Sequence, residues 1–486
     1  MKTTTALTLT LALLATATAG ATESGFYWGG DVRLRQVFIG NVGLNDKSKI
    51  ADRDFQRYRG RLWGRYAPAD WLSGDARLIW EGRHYDQPEN QDWPIPGFET
   101  WYSGGVLFDR LAVTLSDPGG IPLTVTAGRQ DIILGDGWLV LEGTPLDGSR
   151  TLYFDAVRAT WDATPIDTRI DLIYIDQNAN TDRFPRPLND KIEDQTEQYE
   201  TGVVLWAHNE SLLDAGSLDG YFIYKHDRPN PTPGNIRVNN GAPFPSPSDS
   251  GDIYAAGLAT ELALAEHWAL TAEGIYEWGE RNDSNLSAFA ARAGLTYAFG
   301  DPRANRLHAD IEYLSGDDPD SGTDQAFDPL WGRWPQWSEL MIYQWPLETR
   351  VAEATNLLRL NLGWAAKVHP TTELTLDYHA LFANEYSTRT PAQMANISGD
   401  SHFRGHLLTG WIKAKLNEHV AGHIVAEYLA PGDYYAANRR EPPRRLLLPA
   451  RRAGADLVSR RSRLTWVIGP SRSRCRRLAA PQQRAG

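Results

Sequence analysis

Cysteine is almost missing from this chain: its 486 residues include one, Cys475. No intramolecular disulfide can therefore hold the chain together. Long apolar runs are scarce too. Beyond the first turns of sequence, no stretch approaches the ~20 apolar residues that a membrane helix needs. Mean hydropathy is −0.44. A helical membrane protein is excluded. G-x-S-x-G and H-E-x-x-H are both absent, and the histidines are scattered, so neither a serine-hydrolase nor a zinc-protease reading has a motif to stand on. His379 and Asp377 share one strand face, which reads as two wall residues and not as a catalytic pair. No linker or compositional break divides the chain before residue 438.

What is present begins with an export leader. Met1 and Lys2 give a short positive start, and an Ala/Leu/Thr-rich apolar run extends from Ala6 to Ala17. Small residues in A-x-A spacing follow, so residues 1–21 read as a signal peptide cleaved after Ala19 or Ala21. The remainder holds 18 Trp, 20 Tyr and 43 Gly, a composition that suits a transmembrane β-barrel with aromatic girdles at both membrane interfaces.

Alternating patterns predict seventeen strands, near 30–40, 54–66, 74–84, 106–115, 121–130, 151–161, 168–176, 198–208, 219–226, 251–264, 268–279, 286–299, 306–314, 356–368, 373–381, 403–416 and 420–429. Short turns, such as Pro68–Trp71 and His369–Thr371, alternate with long polar loops at 85–105, 131–150, 177–197, 227–250, 315–353 and 382–402; smaller loops at 41–52 and 280–285 keep the same phase. Short turns on one side and long loops on the other are the pattern of an outer-membrane barrel. The Pro-rich loop 227–250 either folds over the mouth as a lid or sits outside. The acidic loop 315–328 is either solvated or holds Ca²⁺ through oxygen ligands; no other cofactor is expected.

The segment Arg57-Tyr58-Arg59-Gly60-Arg61-Leu62-Trp63-Gly64-Arg65-Tyr66 puts four arginines on one face of a strand and apolar or small residues on the other. On a lipid face each midplane Arg would cost about 2–4 kcal/mol, so the arginines point into a water-filled lumen and attract anions. The expected pore-lining set is Arg33, Arg35, Arg57, Arg59, Arg61, Arg65, Arg77, Arg83, Arg129 and Arg158, with Arg292, Arg359 and Lys413 on later strands. For each arginine the alternative is a structural place in a lumen salt-bridge network. Strict alternation puts Arg129 with Val125 and Ala127, so either a bulge resets the phase there or the residue lies above the bilayer. Glu273, Glu277, Asp310 and Glu312, with Asp377 and Glu427, share the inward faces and make the pore zwitterionic. They keep an anionic cargo from binding too tightly, since transport needs weak, repeated contacts.

After Asn438 the composition changes. Residues 439–486 hold 14 Arg, no Lys and two acids. Without them, 35 basic residues face 59 acidic ones, a formal net charge of −24 against −12 for the whole chain. Seventeen strands leave a single-chain barrel one short of an even number. The expectation is that a frameshift near residue 441 has replaced the eighteenth strand, with 463–468 as a poor substitute. The alternative is a genuine basic tail that contacts lipopolysaccharide.

Several motifs point one way. Gly128-Arg129-Gln130-Asp131-Ile132-Ile133-Leu134-Gly135 resembles the alginate-export porin family of Gram-negative outer membranes. So do Arg150-Thr151-Leu152-Tyr153-Phe154-Asp155-Ala156-Val157, Ser315-Gly316-Asp317-Asp318 with Phe327-Asp328-Pro329-Leu330, the Arg-rich second strand, and Pro431-Gly432-Asp433-Tyr434-Tyr435. The resemblance runs over roughly residues 30–438. It implies an eighteen-stranded monomeric barrel that passes an anionic uronate polymer outward through an arginine-lined constriction, without catalysis. Outer-membrane lipid, lipopolysaccharide and periplasmic export components are the expected partners, and nucleic acid is not. A passive porin for small acidic sugars or other anions is the alternative, and a barrel-embedded hydrolase the more distant one.

Overall fold

The computed structural model describes residues 6–19, 25–41, 44, 52–87, 100–142, 152–230, 249–332, 335–348, 354–386, 397 and 400–435. The Pro-rich segment 231–248 and the tail 436–486 lie outside the described residues, and so do the lid and substitute-strand readings attached to them.

The wall strands are β1 (Ala6–Ala19), β2 (Phe26–Gly40), β3 (Arg53–Ala69), β4 (Leu72–Gln87), β5 (Leu107–Ser116), β6 (Leu123–Gln130), β7 (Phe154–Ala163), β8 (Thr168–Gln177), β9 (Tyr199–Leu213), β10 (Gly216–Arg228), β11 (Gly251–Ala265), β12 (Trp268–Arg281), β13 (Ser284–Ala298), β14 (Arg306–Leu314), β15 (Leu357–His369), β16 (Thr372–Phe382), β17 (Phe403–Lys415) and β18 (Val420–Pro431). Together with the short strand Trp101–Ser103, which pairs with residues 82–84 of β4, they form one 19-stranded antiparallel sheet. Each wall strand pairs with its sequence neighbours. β18 pairs with β1 and β1 with β2, so the sheet closes on itself. Closure leaves no row of unpaired N–H and C=O groups, which a bilayer would not tolerate.

All seventeen strands expected from the sequence are present. The eighteenth position is taken by Ala6–Ala19, the stretch that reads as an export leader. Thr10 stands across from Val37 on one side and Val425 on the other, and all three are fully buried. This segment alternates Leu with Thr or Ala from Leu7 to Leu13, a period that a half-buried strand can use. The loop expected at 280–285 is tighter than that: Asn282 and Asp283, with φ of 52° and 64°, make a two-residue hairpin turn, and Asn and Asp tolerate that left-handed backbone.

The strands sort their side chains by face. On β13, Phe289 is 49% exposed and points out, while Leu286, Ala288 and Ala290 are buried on the inner face that also carries Arg292. Leu34, Leu62, Val157, Leu258, Ile311, Leu360 and Leu408 continue the apolar outer band. Aromatic residues border it. Trp268, Tyr297 and Phe299 pack together near the short turns; Tyr224, Tyr254 and Trp278 pack together near the long loops. Two such girdles around an apolar belt mark a bilayer-spanning barrel. Leu362, 60% exposed in the middle of β15, tests the assignment. Leu362→Arg is expected to cost about 2–4 kcal/mol of stability in lipid, and Thr375→Arg, on the inner face of β16, far less. Urea-unfolding midpoints in liposomes compare the two.

Candidate functional site

The first three long strands make one basic wall. The inner faces of β2, β3 and β4 present Arg33, Arg35, Arg53, Arg57, Arg59, Arg61, Arg65, Arg77 and Arg83, against Asp31, Asp75 and Glu81. The register stacks like charges directly: Arg33 stands opposite Arg59, Arg35 opposite Arg57, and Arg57 opposite Arg83. Such pairs repel, so the acids are placed between them. Asp31 accepts from Arg61 Nε at 2.7 Å and lies 3.5 Å from Arg59 Nη2. Glu81 accepts from Arg83 Nε at 2.8 Å and from Arg57 Nη2 at 3.4 Å. Arg65 donates to Ser73 Oγ at 3.2 Å.

Two segments on the long-loop side fold inward from the wall. One is 131–142. The other, 324–332 with 335–348, ends in the helix α1 (Glu339–Glu348). They are joined to each other: Val140 bridges Trp331, Trp331 N donates to Leu139 O at 3.0 Å, and Gln336 Nε2 donates to Gly137 O at 2.7 Å. They are also joined to inner faces around the barrel. Asp136 takes a two-pronged contact from Arg292 of β13, 2.6 Å on each oxygen. Trp138 Nε1 and Trp337 Nε1 each donate to Glu312 of β14 at 3.0 Å. At the start of α1, Glu427 of β18 accepts from Ser338 Oγ at 2.8 Å, Glu339 N at 3.0 Å and Leu340 N at 2.6 Å, a carboxylate capping a helix N-terminus. Glu339 in turn pairs with Arg35 of β2. These contacts reach β13 and β14 on one side and β18 and β2 on another, so the joined segments cross the lumen.

Below them, toward the short turns, lies a cavity of about 1060 Å³. Trp138, Trp337 and Trp345 line it together with Arg306, Lys367, Lys413 and Lys415. Arg292 lies over the Trp138 ring at 4.7 Å and Arg359 over the Trp337 ring at 4.9 Å, cation–π contacts that orient both guanidiniums.

The sequence-derived set divides accordingly. Arg33, Arg35, Arg57, Arg59, Arg61, Arg65 and Arg83 share the basic wall. Arg77 also points inward, but it bonds Asp109 and, through both terminal nitrogens at 2.8 Å, Asp131. Arg158 is on the inner face of β7, paired with Asp171 at 2.7 Å. Arg292 and Arg359 reach the cavity, and Lys413 lies 5.0 Å over the Trp411 ring beside it. Arg129 does not join them. It shares the face of the exposed Leu111 and Val157, bonds Asp155 at 2.9 Å, and is covered by Tyr153 at 3.7 Å and by Pro185 O at 3.3 Å. Simple alternation holds there without a bulge, and burial under the loop after β8 is what lets an arginine sit on the outer side.

The acids also have particular partners. Glu273 bonds Arg292 and Tyr221 Oη, and the buried Glu277 accepts from Asp328 N at 2.9 Å, fixing the start of an inward segment. Glu312 serves Trp138, Trp337 and, at 3.0 Å, Arg359. Asp310 lines the cavity. These carboxylates hold the wall and the inward segments. In the loop 315–328, Asp324 pairs with Arg281 at 2.7 Å, Asp328 with Lys225 at 3.3 Å, and Asp317 and Asp318 accept backbone N–H groups. Burial works against the charge on Asp328, but Lys225 and Arg281 hold it below the ordinary carboxylate range. Among the described residues no three His, Cys, Asp or Glu side chains converge as a metal site.

Sequence reasoning missed the inward segments: Asp131, Asp136, Trp138, Trp337 and Glu339 all lie in stretches read as external loops. A usable signal was their apolar content. Leu139, Val140, Leu340, Met341 and Trp345 are buried, too many for segments wholly in water.

A family model described as alginate export matches residues 108–445. The matched range starts after β4, so the basic wall lies outside it, and it runs a few residues past Asn438. No curated protein matches the chain. Among solved structures, Pseudomonas aeruginosa OccK11 (OpdR) aligns at 9% identity and TM-score 0.43, covering 87% of this chain and 94% of its own. OccK2 (OpdF) of the same organism, solved in complex with glucuronate, aligns at 9% and 0.44, covering 87% and 95%. An anion-selective porin from Comamonas acidovorans aligns at 10% and 0.36, covering 87% and 99%. With a closed bilayer-spanning barrel on the page and the family model matching most of the chain, the protein is an outer-membrane channel and belongs to the alginate-export family.

Proposed function

We propose that the barrel is a conduit for an anionic, uronate-type polysaccharide, guided by Arg33, Arg35, Arg57, Arg59, Arg61, Arg65 and Arg83 and continued by Arg292, Arg359 and Lys413. The observation that carries this reading is the inner face of β2–β4, where nine arginines meet three acids. Guanidinium forks pair with carboxylates in two-pronged fashion and stay charged at every relevant pH. Asp31 and Glu81 keep the wall from presenting a single deep trap, and a conduit works through weak, repeated contacts. The work is electrostatic guidance without bond chemistry. Among the described residues of the cavity, His308 pairs with Asp377 at 2.6 Å, and Asn361 and His379 follow in the same hydrogen-bonded row.

A long polyuronate is the discriminating probe. In planar bilayers it is expected to interrupt the chloride current in blockades that lengthen with chain length, because each added residue brings another carboxylate to the wall. Monomeric uronate gives no resolvable events. Equal, brief effects of monomer and polymer would replace the polymer conduit with the passive porin for small anions.

A further inference from the structure

The inward segments touch the lumen wall in a repeated way. Asp131 takes both terminal nitrogens of Arg77 at 2.8 Å. Asp136 takes both terminal nitrogens of Arg292 at 2.6 Å. Glu339 meets Arg35. In each case the carboxylate comes from an inward segment and the cation from a strand. The two-pronged geometry is the one in which a guanidinium receives any carboxylate, free or polymer-borne. The side chain of Arg292 is 27% exposed and that of Asp136 58%, so this pair is open to solvent and to exchange. Arg292 also donates through Nε to Glu273 at 3.0 Å, a wall contact separate from the terminal nitrogens that Asp136 takes.

We propose that Asp136 and Glu339 stand in for substrate carboxylates: Arg292 and Arg35 are two carboxylate subsites, and the segments crossing the lumen are a plug that an incoming uronate displaces. This rests on the conduit reading and adds how the same arginines are occupied in the absence of cargo. The plug is one body, since Gln336 ties it to Gly137 and Trp331 to Leu139. Losing either carboxylate contact therefore loosens both segments. Glu312 and Glu427 are wall carboxylates that hold the plug by neutral donors, two indole N–H groups and a helix start. None of those contacts uses Arg292 or Arg35, so they persist when a uronate takes either arginine, and they draw the plug back once cargo has passed. An anion gains access only by differential affinity for the opened state.

Single-channel recording of the refolded full chain tests this, with short oligouronates too short to dwell in the pore and neutral dextran fragments as the comparison. In the wild type, oligouronate is expected to raise opening frequency and dextran to leave it unchanged. Asp136→Asn and Glu339→Gln keep the shape and remove the charge; each is expected to raise the open-state population about tenfold without sugar and to blunt the response to oligouronate. Wild-type openings indifferent to oligouronate would overturn the proposal, and that arm needs no variant to fold. So would variants with the wild-type open population. Reversal potential, read in the same recordings, reports on the arginine wall separately: chloride preference with an unresponsive plug sinks this inference alone, and cation preference sinks the conduit reading first.

Discussion

Glu81→Gln is expected to lower the stability of the barrel by about 3–5 kcal/mol, the usual effect of removing one partner from a buried ionic group. Glu81 is 4% exposed, stands directly opposite Arg59, and accepts from Arg83 and Arg57. Its loss leaves Arg57 and Arg83, directly opposite each other on adjacent strands, without the carboxylate that both contact. Arg65→Gln removes an exposed cation of the same face, one that donates to Ser73 Oγ at 3.2 Å, and is expected to change stability by less than about 1 kcal/mol. Urea titration of both variants in liposomes, followed by the gel-mobility difference between folded and unfolded barrel, separates the two. Equal midpoints for Glu81→Gln and wild type would mean that water or counterions in the lumen do the work here assigned to Glu81.

The second large effect is on selectivity. Arg57→Gln combined with Arg61→Gln is expected to lower the chloride-to-potassium permeability ratio by about tenfold. A unit charge at 8 Å from the permeating ion contributes about 2 kcal/mol at an effective dielectric of 20. Screening over a Debye length of about 10 Å at 0.1 M salt reduces this to below about 1 kcal/mol. Two such charges give a little under about 2 kcal/mol, one decade or slightly more. The loss should shrink as salt rises. Arg129→Gln is the internal comparison: Arg129 lies on the outer side of β6 under Tyr153, so its removal should destabilise without moving selectivity. A selectivity loss with Arg129→Gln as great as with the double variant would contradict the placement.

Most of the wall was legible in the sequence because a barrel strand writes its two solvents into alternate residues. The inward arginines of β2–β4 and the outward Leu358, Leu360 and Leu362 of β15 follow from period two alone. Arg129 did not, because an outward arginine becomes acceptable once a loop covers it, and loop placement is not periodic. The inward segments were misplaced for the same reason. Long connections were assigned to the outside as a class, although Trp138 and Trp337 find buried hydrogen-bond partners in Glu312 only by entering the lumen. For the eighteenth position the sequence offered only 463–468 as a poor substitute; in the structure Ala6–Ala19 stands there, a stretch whose Leu/Thr alternation suits a strand and whose apolar run reads as a leader.

The most direct measurement of the central claim is the reversal potential of the purified, refolded protein in a planar bilayer under a KCl gradient, before and after adding polyuronate. An arginine-guided conduit gives a potential of the sign set by chloride, and the polymer suppresses the current. A potential of the sign set by potassium would mean that Glu273, Asp310, Glu312 and the other inward acids outweigh the basic wall, and the anionic cargo would be contradicted while the barrel stood.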